Sequence, residues 1–106
     1  MGILDDRKRG AEEKFRVEQE ILFKVRARRN RLFGKWAADQ LGLAGNEADE
    51  YARSVVFVEL ETPGDDSLLS KVEADFDVGA VKTSRTQLRE TLERFAEEAR
   101  VQVCNK

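Results

Sequence analysis

The first forty residues of the chain read as one helix, and a helix of that length outruns anything the remaining residues can lay against it. Leu4, Ala11, Phe15, Leu22, Val25, Leu32 and Trp36 recur at the three- and four-residue spacing of a helical stripe, with Lys8, Glu18 and Arg29 as polar interruptions. Asp5 or Asp6 is placed to cap the start and to set negative charge at the positive end of the helix dipole. Gly42 and Gly45 supply the stop. From Asp6 to Leu41 such a helix spans ~54 Å at about 1.5 Å per residue.

The rest of the chain divides into three shorter helices. Asn46 is expected to cap the second, which carries Ala48, Tyr51, Ala52, Val55 and Val56 on one side. Its tail, Ser54 to Leu60, is rich in β-branched residues and has the look of a strand. No second strand-like run exists to complete a strand's hydrogen bonds, so the segment is read as helix. Thr62-Pro63-Gly64 breaks it, and Asp65-Asp66-Ser67 opens a third helix bearing Leu68, Leu69, Val72 and Phe76, ended by Gly79. Ser84 and Gln87 fit a capping box for a fourth helix with a Leu88, Leu92, Phe95, Ala99 stripe and a Glu90–Arg94 pair.

These three helices, at roughly 12–20 residues each, reach only about 18–30 Å. The expected fold is therefore all-α, a small four-helix bundle whose long N-terminal helix projects or is mobile over its first half. Apolar density gives the boundary. Between Asp5 and Glu20 only Ala11, Phe15 and Val17 are apolar, whereas Ile21, Leu22, Phe23, Val25, Leu32, Phe33, Trp36 and Leu41 follow. Residues 1–19 are read as an arm and residues 20–106 as the bundle. A charged, partly amphipathic segment that projects is suited to folding against a partner.

Composition narrows the chemistry. With 41% hydrophobic and 38% charged residues, the chain has too much apolar matter for disorder and too much charge for a membrane protein. It contains no His, and its single Cys, Cys104, permits neither an internal disulfide nor a thiolate cluster. Ser–His and Cys–His nucleophile systems are excluded, and an enzyme is the weakest reading. The opening residues carry no hydrophobic signal segment, so a soluble, intracellular protein is expected.

The net charge of −2 hides an asymmetry: residues 1–36 carry +5, residues 37–82 carry −8 and residues 83–106 carry +1. The densest basic run is Arg26-Ala27-Arg28-Arg29-Asn30-Arg31, with Lys24 and Lys35 on either side. It reads as a solvated face paired with the acidic middle of the chain, as a phosphate cradle for a nucleotide formed by Arg28, Arg29, Arg31 and Lys35, or as an RNA-binding helix. The sequence pI near 5.3 weighs against the last. Trp36 beside the run reads as a core anchor sooner than as a base-stacking platform. Asp75-Phe76-Asp77-Val78-Gly79 is a faint echo of a calcium loop, and Asp65-Asp66 reads as a helix cap more readily than as a magnesium site.

The stretch Ala27-Arg28-Arg29-Asn30-Arg31-Leu32-Phe33-Gly34-Lys35-Trp36-Ala37-Ala38, followed by Leu41-Gly42-Leu43, resembles the zeta-subunit family, the ATPase inhibitor subunits of the alphaproteobacterial F1FO-ATP synthase. Asp5-Asp6-Arg7, Glu13-Lys14-Phe15, Tyr51-Ala52, Pro63-Gly64 and Lys71 support the likeness, which covers nearly the whole chain. The resemblance implies a four-helix protein that binds the catalytic F1 head and blocks rotation in the hydrolysing direction. Its N-terminal segment would enter a catalytic interface between the alpha and beta subunits near gamma. It also implies weak adenine-nucleotide binding in some members; for this chain neither a metal nor a tightly held cofactor is expected.

Carried onto this sequence, the F1 contacts would be Asp5, Asp6, Arg7, Lys8, Arg9, Glu12, Lys14, Phe15 and Arg16. Gly10 departs from the family pattern, which has better helix formers there, and a Gly within a helix costs roughly 1 kcal/mol relative to Ala. The expected protein is a monomer when free, cytoplasmic, and held at the inner membrane only through F1, without inserting into the bilayer or binding nucleic acid. The alternative readings are an adenine-nucleotide-binding regulatory module with Arg28, Arg29, Arg31 and Lys35 as its site and, less favoured, an RNA-binding helical protein.

Overall fold

The structure, a computed structural model, describes the backbone of residues 3–104 and the side chains of residue 14 and residues 16–104. Four helices follow one another: α1 (Ile3–Gln40), α2 (Gly45–Glu61), α3 (Asp65–Val78) and α4 (Arg85–Cys104). The β-branched tail of α2 is helical, as its lack of a strand partner requires. Each helix packs on the next, and α4 returns to α1, so the four close into an all-α bundle with α1 seated between α2 and α4. The molecule measures 65 × 26 × 22 Å, the long axis reflecting a 38-residue helix beside partners of 17, 14 and 20 residues.

The core gathers Phe33, Ala37, Val55, Leu68, Leu69, Val72, Phe76, Leu88 and Leu92. Trp36 anchors it: its ring stacks on Phe33 at 5.7 Å and meets Phe76 at 5.7 Å and Phe95 at 6.5 Å. The α1 stripe differs in phase from the expected one. Asn30, Phe33, Gly34, Ala37 and Ala38 are buried, Val25, Leu32 and Trp36 are half-buried, and Leu22 is exposed. Two neighbours press on α1 from different sides, and small residues at the contact let the α2 backbone come close. A ranking by hydrophobicity passes over Gly34, Ala37 and Ala38. Leu4, Ala11 and Phe15 of the expected stripe have side chains outside the described residues.

The helix ends need some correction. α1 stops at Gln40, and Gly42 takes φ 76° while the Leu43 N–H reaches back to the Ala38 carbonyl at 3.0 Å. Gly45 opens α2 rather than stopping α1, and the residue before it, Ala44, is the N-cap in place of Asn46. Asp65 and Asp66 lie in the first turn of α3 behind Gly64, so they complement the dipole without capping. The capping box of α4 is present, with the Gln87 N–H donating to Ser84 Oγ at 3.2 Å and the Ser84 N–H to Gln87 Oε1 at 3.0 Å. Glu90 and Arg94 make no ion pair with each other.

At the end of α3 the left-handed residue is Ala80, at φ 59°, and not Gly79. A Cβ at Gly79 would lie 2.7 Å from Leu41 Cδ2, so a side chain there would require the end of Leu41 to shift.

Candidate functional site

The basic run of α1 serves two purposes on two faces. Arg26 and Arg29 turn toward α2 and α3. Arg26 Nε donates to Glu59 Oε1, and Arg29 Nη2 reaches Asp65 Oδ1 at 2.9 Å and lies 3.6 Å from Glu59 Oε2. Arg29 Nε donates to Asn30 Oδ1 at 2.9 Å, which orders the buried amide beside it. Glu59 is only 8% exposed and Arg29 only 12%, so this pairing is a clamp in poorly solvated surroundings. For these two arginines the pairing with the acidic middle block is realised.

Arg28, Arg31, Lys24 and Lys35 take no part in the clamp. Their spacing of four, three and four residues puts them in one stripe, all exposed and none with an ion pair among the described residues. The four residues read as a phosphate cradle are thereby divided. Arg29 is engaged by the clamp. Arg28 and Arg31 line a groove that includes Gln102 and Val103 of α4, whereas Arg31 and Lys35 line a second groove with α2.

N-terminal to the clamp, the described side chains of α1 are exposed as far as Lys24. Lys14 and every residue from Arg16 to Lys24 are exposed, and Val25 is the first to be half-covered. The bare stretch includes Val17 at 45% exposure, Ile21 at 39%, Leu22 at 60% and Phe23 at 67%. On apolar density Ile21, Leu22 and Phe23 belong with the bundle, but they lack the neighbours that would bury them. The signal that finds them is length: α4 has 20 residues, and its last turn already lies beside Lys24 and Arg28. Of the nine residues implied as F1 contacts, Lys14 and Arg16 are exposed on this stretch. The side chains of Asp5, Asp6, Arg7, Lys8, Arg9, Glu12 and Phe15 lie outside the described residues.

The acidic pairs are used structurally. Asp75 sits within α3, accepts a hydrogen bond from Tyr51 Oη at 2.8 Å and pairs with Lys71 Nζ at 3.0 Å, which removes the calcium-loop reading. Burial of Tyr51, and then its bond to Asp75, push the phenol well above its ordinary value. Asp66 is taken up by Arg85 at 3.3 Å, and Asp65 by the α1 clamp. Among the described residues no three His, Cys, Asp or Glu side chains gather as a metal set, and no helix is long and apolar enough to cross a membrane. Cys104 is exposed at the end of α4.

A small all-helical bundle whose longest helix carries exposed apolar side chains from Val17 to Phe23 is the class of protein that the described residues define. The family model for ATPase inhibitor subunit zeta matches residues 1–102, and the chain belongs to that family. No curated protein matches the chain.

Proposed function

We propose that this chain inhibits ATP hydrolysis by the F1 head of an F1FO-ATP synthase, inserting the N-terminal part of α1 at a catalytic interface between alpha and beta near gamma. Membership of an inhibitor-subunit family supplies the kind of partner. The observation that carries the mechanism is the bareness of α1 before Val25, where four apolar side chains are left for a partner to bury. A rigid helix wedged between subunits stops a cycle of conformational change without doing chemistry. Apolar anchors set its affinity and flanking charges its register. The same reading places the protein in the cytoplasm, on the membrane-bound synthase through F1 alone.

The nucleotide-module alternative has less behind it, because its four cations do not converge on one groove and Arg29 is already paired. The deciding experiment measures ATP hydrolysis by cognate F1 with the full chain and with a form lacking residues 1–19. Inhibition is expected from the full chain only, while the shorter form keeps its helical circular dichroism and its cooperative melting. Equal inhibition by both forms would rule out insertion of the arm.

A further inference from the structure

We propose that the seam between α1 and α2 is a second docking site, which takes an acidic amphipathic helix on the outer surface of the ATPase head. The proposal rests on the function proposed above but concerns the bundle and not the arm. Two grooves open along this seam and share Val56 and Leu60 in their lining. The first, of about 500 Å³, is rimmed by Arg31 and Lys35 of α1 and by Asp49, Arg53 and Phe57 of α2. The second, of about 320 Å³, runs on between Phe23 and Asn30 of α1 and Glu59 and Pro63 near the end of α2.

Two independent observations describe the occupant. The apolar side chains are bare: Phe57 is 56% exposed, Leu60 66% and Phe23 67%. The rim of the first groove is cationic. Arg31, Lys35 and Arg53 have no ion pair among the described residues, although Arg26, Arg29, Lys71, Arg85 and Arg100 all do. Asp49 is the single acid among the first groove's lining residues. Glu59 also lines the second groove, but its carboxylate is already held by Arg26 and Arg29.

A helix with an apolar stripe against Val56, Phe57 and Leu60 and carboxylates beside Arg31, Lys35 and Arg53 meets both demands. A second copy of this chain does not. A two-fold contact through this face would set the same three cations against one another. Nor does the chain's own arm, because α1 is unbroken from Ile3 to Gln40 and itself forms one wall of the groove.

The test uses the full chain and purified cognate F1, with binding measured by interferometry beside hydrolysis. The charge-reversed Arg31→Glu/Lys35→Glu/Arg53→Glu chain and the Phe57→Ser/Leu60→Ser chain should each bind at least tenfold more weakly, the wild-type affinity should fall with salt, and Arg28→Glu should bind as the wild type does. To guard against misfolding, a photo-crosslinker at position 57 of the otherwise native chain should join F1 within a helical, acid-rich segment. Wild-type binding by both groove variants, or crosslinks only elsewhere, would overturn the docking site and leave arm insertion standing. A wild-type chain that neither binds nor inhibits F1 would overturn both. Amide shifts at Ala52, Val56 and Phe57 that answer to MgATP or to anionic phospholipid vesicles, but not to F1, would assign the groove to a small anion or a membrane instead.

Discussion

Gly34 lies against Ala52 so closely that a Cβ on Gly34 would stand 2.9 Å from the Ala52 Cα and 3.0 Å from its carbonyl oxygen. Backbone meets backbone there, so the approach of α1 to α2 depends on the missing side chain. The α1–α2 groove and the Arg26–Glu59 contact both inherit their geometry from this crossing.

Gly34→Ala is accordingly expected to destabilise the protein, although Ala is the better helix former. Overpacking costs about 1–3 kcal/mol, against a gain in propensity of roughly 1 kcal/mol, so a net loss of about 1 kcal/mol is expected. Urea denaturation followed by circular dichroism measures it, and a stabilised variant would mean that the helices do not cross at Gly34.

The clamp gives a second expectation. Glu59→Ala removes the carboxylate that Arg26 and Arg29 share and should cost about 1–3 kcal/mol, since Arg29 stays nearly buried with only Asp65 as its carboxylate partner. Replacing the exposed Arg28 by Ala should change stability by no more than about 0.5 kcal/mol. Comparison of the two denaturation midpoints separates the engaged face of the basic run from the free one.

Tyr51 predicts an alkaline effect whose sign is fixed. Its folded value is raised above the ordinary 10.0, first by desolvation and then by Asp75. The neutral phenol is therefore favoured in the fold, and above pH 10 the folded chain holds a proton that the unfolded chain releases. The stability this contributes is fully present below about pH 10 and falls as pH rises beyond it, by at most about 1.4 kcal/mol per pH unit. Tyr51→Phe should remove this part of the alkaline decline in melting temperature while leaving the profile near pH 7 flat.

The bare apolar side chains of α1 should matter to inhibition and not to folding. Leu22→Ser/Phe23→Ser is expected to raise the concentration needed for half-inhibition of F1 about tenfold, a hot-spot-sized effect. The melting temperature should stay unchanged, because both positions are more than half exposed. A lowered melting temperature with full inhibition would mean that these residues serve the bundle.

Gly10→Ala tests whether the arm binds as a helix. Removing a glycine from a helix interior is worth roughly 1 kcal/mol, so inhibition should tighten about fivefold if the arm is helical when bound. Titration of F1 hydrolysis with the two full-length chains reads this directly.

Much of the architecture was legible because it depends on local chemistry. The breaks at Gly42, Pro63-Gly64 and Gly79, the capping box at Ser84 and Gln87, and the stripe of Leu88, Leu92 and Ala99 each depend on residues a few positions apart. The phase of α1 was not legible, since Asn30, Gly34 and Ala38 are buried by neighbours distant in sequence, and no measure of their own hydrophobicity marks them. The same holds for Ile21, Leu22 and Phe23, which are as apolar as core residues and exposed for want of a helix opposite.

By itself, then, the sequence determined four helices, a first helix too long for its partners, the absence of nucleophile chemistry that needs His or paired Cys, and a family likeness spread along the chain. Those follow from spacing, residue type and a rise per residue that any helix obeys. Only the tertiary structure decided how one basic run is divided between a buried clamp and a free stripe. A charge is spent or spare according to what stands within a few ångströms of it, and Glu59 and Asp65, more than thirty residues away along the chain, are brought beside Arg26 and Arg29 by folding alone.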